Sequence, residues 1–293
     1  MNRKCVSLSG WLLILILSLL VGSAWGGEVK EFRVCADPNN LPFSNQKLEG
    51  FENRIAELIA QDLGAQLTYT WWPHQRGLVR RTLNEGQCDV LIGIPKGWDL
   101  VLWTKPYYRT TYVIVYPKDR GFKIKSLDDP ILSKLRIGVH VNTPPAEALA
   151  EKGIVGGNVI GYPLFYDPNY HPEEYPGKLI EDLIAGEIDV AIVWGPMAGY
   201  FVKKRSASFL ELVPLQGGGR GMPFTFEISM GVKKGEKALK AQLEEVLDRR
   251  QAEIKKILED YGVPLLAVEA SGSPRGGEAP AGGQRGGSGH SHD

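Results

Sequence analysis

Leu83-Asn84-Glu85-Gly86-Gln87-Cys88-Asp89-Val90-Leu91-Ile92 is followed, one hundred residues later, by Leu183-Ile184-Ala185-Gly186-Glu187-Ile188-Asp189-Val190-Ala191-Ile192. Each stretch reads as the end of a helix, a glycine stop, a turn and an apolar strand of the kind covered on both faces. A second pair lies upstream at nearly the same offset, Phe32-Arg33-Val34 against Leu135-Arg136-Ile137. Any α/β chain repeats such patterns to some degree, but two matches at nearly equal offsets predict two similar lobes.

Working outward, strand-like and helix-like segments alternate. Residues 32–37 form a β-run that ends in a Pro/Asn loop. Phe51, Ile55, Leu58, Ile59 and Leu63 share one helical face, which Gly64 stops. Residues 67–72 follow as a strand, 77–84 as a short helix, 89–94 as a buried strand and 112–116 as another. Beyond the second copy come a strand at 224–232 and a long helical pattern at 238–261, with a bend expected near Arg249 and Arg250. The expected fold class is α/β: two similar lobes with mostly parallel sheets joined by two hinge strands. Residues 27–115 and 231–265 would form lobe 1, and residues 116–230 lobe 2. Ligand clefts form between such lobes, beyond the carboxyl ends of the strands.

The 293 residues are 23% charged and 43% hydrophobic, which excludes a disordered chain, a collagen-like repeat or a disulfide-dense miniprotein. Arg3 and Lys4 precede an apolar run at 11–21 and small residues at Gly22, Ser23, Ala24 and Gly26, the pattern of a cleaved signal peptide over 1–26. The run is too short for a membrane-spanning helix, which needs about 20 apolar residues. The mature chain would carry 32 basic against 34 acidic residues, with no field to attract nucleic acid. The expected location is the periplasm. There Cys35 and Cys88 would be either a disulfide or two buried thiols, since parallel neighbouring strands can hold their Cα atoms beyond the roughly 7 Å a bridge tolerates. Residues 266–293 are rich in Gly, Ser and Pro and are expected to be disordered, with His290, His292 and Asp293 making no closed metal site.

No catalytic motif is present: no Walker loop, HExxH, GxSxG or CxxC. His74, His140 and His171 have no triad spacing. The expectation is a protein without catalytic residues, cofactor or metal. The strand ends are more informative. They carry Asp37-Pro38-Asn39-Asn40-Leu41-Pro42-Phe43, Trp71-Trp72-Pro73-His74, Pro95-Lys96-Gly97-Trp98 and Trp194-Gly195-Pro196. Aromatic side chains at a cleft rim offer large, stiff contact area for an apolar ligand or a protein partner. Trp71 and Trp72 are adjacent on a strand and point to opposite faces, so one of them belongs to a core. Asp37, Asn39, Asn40, Pro42, Phe43, Trp72, Trp98 and Trp194 are therefore candidate cleft residues. Thr143 joins them as a helix N-cap with Pro144 at the first helical position. Pro144 and Pro145 each remove an N–H that an anion would need.

With these residues in hand, the chain resembles the type II periplasmic solute-binding proteins of ABC transporters, over roughly residues 30–262. Gly50-Phe51-Glu52, Lys105-Pro106-Tyr107-Tyr108, Asp89 and Asp189 carry that likeness. Residues 34–44, 70–73, 88–93 and 104–112 are more specifically similar to the quinoprotein-dehydrogenase-associated branch, the MoxJ/XoxJ-like proteins encoded with methanol dehydrogenases. The resemblance adds Tyr107 and Tyr108 to the cleft. It implies an accessory role to a PQQ-dependent methanol dehydrogenase large subunit, through an apolar cleft that assists maturation or activation. A transport receptor for a small apolar or weakly polar solute is the alternative; a lyase on the same scaffold rests on fold analogy alone. The departures from amino-acid receptors are specific. The position of their carboxylate-binding arginine falls near Gly97, and Trp194 replaces the acid that holds the ligand amine. Burying a zwitterion without charged partners costs several kcal/mol, which argues against an amino acid.

Overall fold

The computed structural model describes residues 30–74, 77–164, 175–219 and 222–267. The expected leader, nearly all of the expected tail, and His171 lie outside the described residues.

The repeated stretch folds the same way twice. Gly86 and Gly186 both take left-handed conformations (φ 72° and 78°), which residues with a Cβ adopt at a cost. In the first copy the Asp89 amide donates to the carbonyl of Arg33, and the Arg33 guanidinium returns bonds to Asp89 and to the Gly86 carbonyl (2.8 Å). In the second, Arg136, Asp189 and Gly186 make the same set, with the Gly186 carbonyl bond at 2.7 Å. The two sequence matches are thus joined by one interaction in each lobe, which seats the inner strand beside its parallel neighbour.

Strand β1 (Glu31–Ala36) is followed by the small hairpin β2 (Asn39–Asn40) and β3 (Ser44–Asn45), helix α1 (Phe51–Leu63) and β4 (Gln66–Trp71). Then come α2 (Leu78–Arg81), β5 (Val90–Pro95), β6 (Leu102–Trp103) and the long β7 (Tyr108–Pro117). The second lobe holds β8 (Ile137–His140), α3 (Pro144–Glu151), β9 (Val159–Tyr162), α4 (Lys178–Ala185), β10 (Val190–Trp194), α5 (Gly195–Lys204) and β11 (Leu210–Pro214). A hairpin of β12 (Gly218–Gly219) and β13 (Met222–Pro223) leads back through β14 (Thr225–Val232) to α6 (Lys237–Arg249) and α7 (Gln251–Asp260). In each lobe three strands pair in parallel, β4-β1-β5 in one and β10-β8-β9 in the other. Antiparallel pairings of β14 and β7 join them.

Strand β7 changes partners midway. Residues Tyr108–Thr111 pair with β14, whereas Tyr112–Val115 pair with β10, and residues 113–117 also pair with β11. The buried threonines at this switch add side-chain donors to backbone carbonyls of neighbouring segments. Thr110 donates to Pro264 O at 2.7 Å, and Thr111 Oγ1 lies 2.9 and 3.0 Å from the carbonyls of Leu215 and Phe224.

The segment after α7 crosses both lobes. Tyr261 stacks on Tyr200 of α5 (centroids 5.7 Å apart) and donates its hydroxyl proton to Glu49 O. Gly262 and Gly199 approach so closely that a side chain at either would strike the other's backbone. The long C-terminal pattern is two helices broken at Arg250, where Arg249 and Arg250 both bind Asp62 at the end of α1. The helix expected over 77–84 is shorter: α2 ends at Arg81 and turns lead on to Gly86.

Cys35 and Cys88 form a disulfide with their Cα atoms 5.5 Å apart, which resolves the alternative left open by the sequence. Cys88 lies in the turn before β5 rather than on the paired strand, and the turn brings it over β1. Both cysteines are buried with Leu78, Val79, Leu83 and Leu91. Among the described residues no helix is long and apolar enough to cross a membrane. Replacing both cysteines by alanine should cost about 2–4 kcal/mol, by releasing the 53-residue loop, in urea unfolding of the oxidised and substituted proteins. Thr111→Val should cost about 1–3 kcal/mol in the same assay, by leaving a buried carbonyl unpaired.

Candidate functional site

The loop from Asp37 to Gly50 is built to present side chains between the lobes. The Asp37 carboxylate accepts from the amides of Asn39 (2.8 Å) and His74 (2.5 Å), tying the loop after β1 to the one after β4. Ser44 Oγ donates to Asp37 O, and Asn53 Oδ1 accepts from the amides of Asn45 and Gly50. The buried Pro42, which follows a cis peptide bond, offers its carbonyl to the Phe51 amide at 2.8 Å. Gly50 is required here for space: a Cβ would overlap the Phe43 carbonyl, which accepts from the Glu52 amide. Phe51 is fully buried and packs edge-on against Phe43, Tyr108 and Tyr261.

A cavity of about 300 Å³ lies between the lobes. Lobe 1 contributes Asn40, Phe43, Glu52, His74, Gly93, Pro95 and Tyr108, the returning strand Phe226 and Ile228, and the far side Tyr112, Leu164, Trp194 and Met197. Trp194 anchors its aromatic wall, with ring centroids 4.9 Å from Tyr112 and 5.7 Å from Phe226, both edge-on. His74, Gly93 and Pro95 also line a wider groove of about 850 Å³ over lobe 1, which Trp98 and the exposed Leu100 border.

Among the described residues no lysine or arginine lines the inter-lobe cavity. Lys96, the nearest cation in sequence to the strand end, is paired with Glu227 at 2.7 Å. Gly97 takes up the left-handed position (φ 88°) of an exposed turn. Glu52 is the acid of the site. Burial, aided by the negative charge of Asp37, pushes its carboxyl up to about 8. Its place in the first turn of α1 would favour the ionised form by less than 1 kcal/mol, which burial outweighs. Part of its side chain remains open to the cavity, so the surrounding protein rather than complete enclosure sets its solvation. Gly93 makes the room, since any side chain there would meet the Glu52 carboxyl. Burial also lowers His74, against the opposing effect of Asp37, which keeps its imidazole neutral above pH 7.

The sequence-derived candidates do not all meet. Asn40, Phe43, Tyr108 and Trp194 line the inter-lobe cavity, and Trp98 lines the adjoining groove. Asp37 and Pro42 hold the presenting loop, and Asn39 is exposed in its hairpin. The four tryptophans do not face one cleft. Trp71 stacks on Tyr69 (4.7 Å) against the main core of lobe 1, whereas Trp72 packs beside the disulfide under Arg81. Tyr107 turns away and donates to Ile92 O at 3.0 Å. Thr143 is the N-cap residue of α3, but its hydroxyl donates back to His140 O at 2.7 Å instead of capping. The two prolines that follow leave no N–H at the first two helical positions for it to accept. His74 and His140 are not surface residues: His74 is at the cleft, and burial pushes His140 down to about 4. Glu52 was missed as a site residue because Gly50-Phe51-Glu52 was read only as a marker. The signal was present in an acid placed one residue beyond a fully buried phenylalanine at a strand-end loop.

Raised above its unfolded value, the Glu52 pKa destabilises the fold increasingly as pH rises from about 4.5 to about 8. Glu52→Gln should therefore match the parent protein near pH 4 and be more stable at pH 8, on the order of 2 kcal/mol after allowance for its partial exposure, by urea unfolding at both pH values.

Known proteins place this geometry. The model for bacterial extracellular solute-binding proteins, family 3, matches residues 32–264. Protein MoxJ of Methylorubrum extorquens AM1 is 33% identical over 247 residues, covering 80% of this chain and 82% of that protein. Protein MoxJ of Paracoccus denitrificans is 30% identical over 261 residues, covering 85% and 94%. The crystal structure of the periplasmic binding protein XoxJ from Methylobacterium extorquens AM1 superposes with a TM-score of 0.66 at 40% identity, covering 81% of this chain and all of that one. Lobes, hinge strands and sequence agree, and the chain belongs to family 3 of the bacterial extracellular solute-binding proteins.

Proposed function

We propose that this protein is exported to the periplasm and serves there as an accessory protein of a PQQ-dependent methanol or alcohol dehydrogenase. In this reading its inter-lobe cleft binds part of the dehydrogenase large subunit and assists its maturation or activation, without itself holding PQQ or catalysing. The observation that carries the proposal is a cleft with aromatic walls and, among the described residues, no lysine or arginine, which opens into a wider groove lined by Leu78, Ile94, Trp98 and Leu100 with Arg80 at its edge. A receptor for a zwitterion would need charged partners on both sides, because an unpaired buried charge is expensive. A polypeptide segment with apolar side chains needs none, and stiff aromatic anchors suit it. The likeness to MoxJ and XoxJ supports the same partner.

A lyase built on this scaffold would need a perturbed acid coupled to a base. Glu52 meets the first condition, but its side chain has no hydrogen-bond partner among the described residues. The uncoupled acid favours binding over catalysis.

The test is direct binding of residues 27–293 to a PQQ methanol dehydrogenase large subunit, in the apo form and loaded with PQQ and metal. The expected result is a preference for the apo form, with Trp194→Ala and Trp98→Ala each weakening binding roughly tenfold or more. Absence of binding to either form, at concentrations on the order of tens of micromolar, would return the transport receptor for an apolar solute to first place.

A further inference from the structure

Glu52 stands where an occupant of the cleft would meet it, and its carboxyl makes no hydrogen bond among the described residues. Its amide is held by Phe43 O at 2.9 Å, and its carboxyl lies against the backbone of Gly93 at the cavity wall. The titratable groups close enough to interact with its charge are Asp37 from the loop after β1, Tyr69 from β4, and Tyr108 and the turned-away Tyr107 at the start of β7. His74, after β4, shares the same cavity. None of these is a cation at neutral pH. The rings of Phe43, Tyr112, Trp194 and Phe226 line the remaining walls, with Trp194 edge-on to Tyr112 and Phe226.

We propose that the cleft takes an uncharged, planar apolar group carrying one hydrogen-bond acceptor, and that the protonated Glu52 carboxyl donates to that acceptor. This deepens the accessory reading, and rests on it only for the premise that the cleft is a binding site. An anionic group would meet the charge of Asp37 with no lysine or arginine among the described lining residues to offset it. An ammonium would suit aromatic walls, but it would require Glu52 to ionise in a place where burial and Asp37 both oppose that. An acceptor oxygen or nitrogen on a neutral ring asks for no change of charge. It also gives a partner to an acid that otherwise has none.

Three probes of similar shape separate these cases: acetophenone (acceptor), ethylbenzene (no acceptor) and benzylamine (cation). Binding to the full mature chain is measured by calorimetry at about pH 6.5 and about pH 9, on either side of the Glu52 titration. At the lower pH acetophenone should bind about 3- to 10-fold more tightly than ethylbenzene, the worth of one neutral hydrogen bond. The preference should fade at the higher pH, where the carboxyl has lost its proton. Glu52→Gln keeps a donor of the same shape, so its preference should persist at both pH values. Gly93→Ala displaces the carboxyl and should abolish the preference, with urea unfolding of the variant checking that it folds. Equal affinities for acetophenone and ethylbenzene at the lower pH overturn the proposal. So does tightest binding of benzylamine, or no binding of any probe. A chain that binds apo-dehydrogenase but shows no acetophenone preference overturns this assignment alone. Acetophenone preference without dehydrogenase binding overturns only the accessory reading.

Discussion

Strand β7 belongs to two sheets at once, and the architecture follows from that constraint. Residues on either side of the Thr111–Tyr112 peptide bond pair with strands of different lobes, so the ladder must break there. A broken ladder in a buried place leaves carbonyls without partners, each worth about 1–3 kcal/mol if left unpaired. The adjacent threonines Thr110 and Thr111, both fully buried, supply side-chain donors there, to Pro264 O and at the carbonyls of Leu215 and Phe224, the last of which also accepts from the Tyr112 amide. One of the carbonyls they meet, that of Pro264, comes from the segment that also stacks Tyr261 on Tyr200. The junction therefore joins both crossings and the C-terminal segment in one packed unit. The cleft walls descend from it: Tyr108 and Tyr112 sit on β7, and Trp194 pairs with Tyr112 across β10.

The chemistry of the cleft is set as much by what is missing as by what is there. Among the described residues, aromatic rings, one half-buried acid and the polar groups of Asn40 and His74 make a surface without a lysine or arginine. A lysine on that wall would lower Glu52 into the ordinary carboxylate range and turn the cleft into a site for a charged solute. Lys96 lies close in sequence but is committed to Glu227.

Much of this was legible beforehand, for local reasons. The two copies of helix, glycine, Asp and apolar strand follow from rules that act within a few residues: a left-handed stop and an inner strand. The break near Arg249 and Arg250 was also readable, although the ion pairs to Asp62 that pin it were not. Placement of the aromatic residues was not legible. Trp72, Trp98 and Trp194 look alike at strand ends, yet one packs beside a disulfide, one borders a groove and one lies between lobes. Thr143 shows the same limit, since it occupies the N-cap position but turns its hydroxyl to His140 O, where Pro145 has removed one of the two amides a cap can accept from.

The sequence by itself determined the two-lobed α/β plan, because its signals are short-range and written twice. It also determined that glycine and tryptophan stand at positions 97 and 194, since that is a matter of which side chains exist. Only the tertiary structure decided the disulfide, because the turn before β5, not the strand register, brings Cys88 over Cys35. Only the tertiary structure decided that Glu52 is the polar centre of the cleft. Its environment comes from Asp37, Gly93 and Tyr108, residues distant in sequence, and proton affinity depends on the charges and dielectric gathered around a group rather than on its neighbours along the chain.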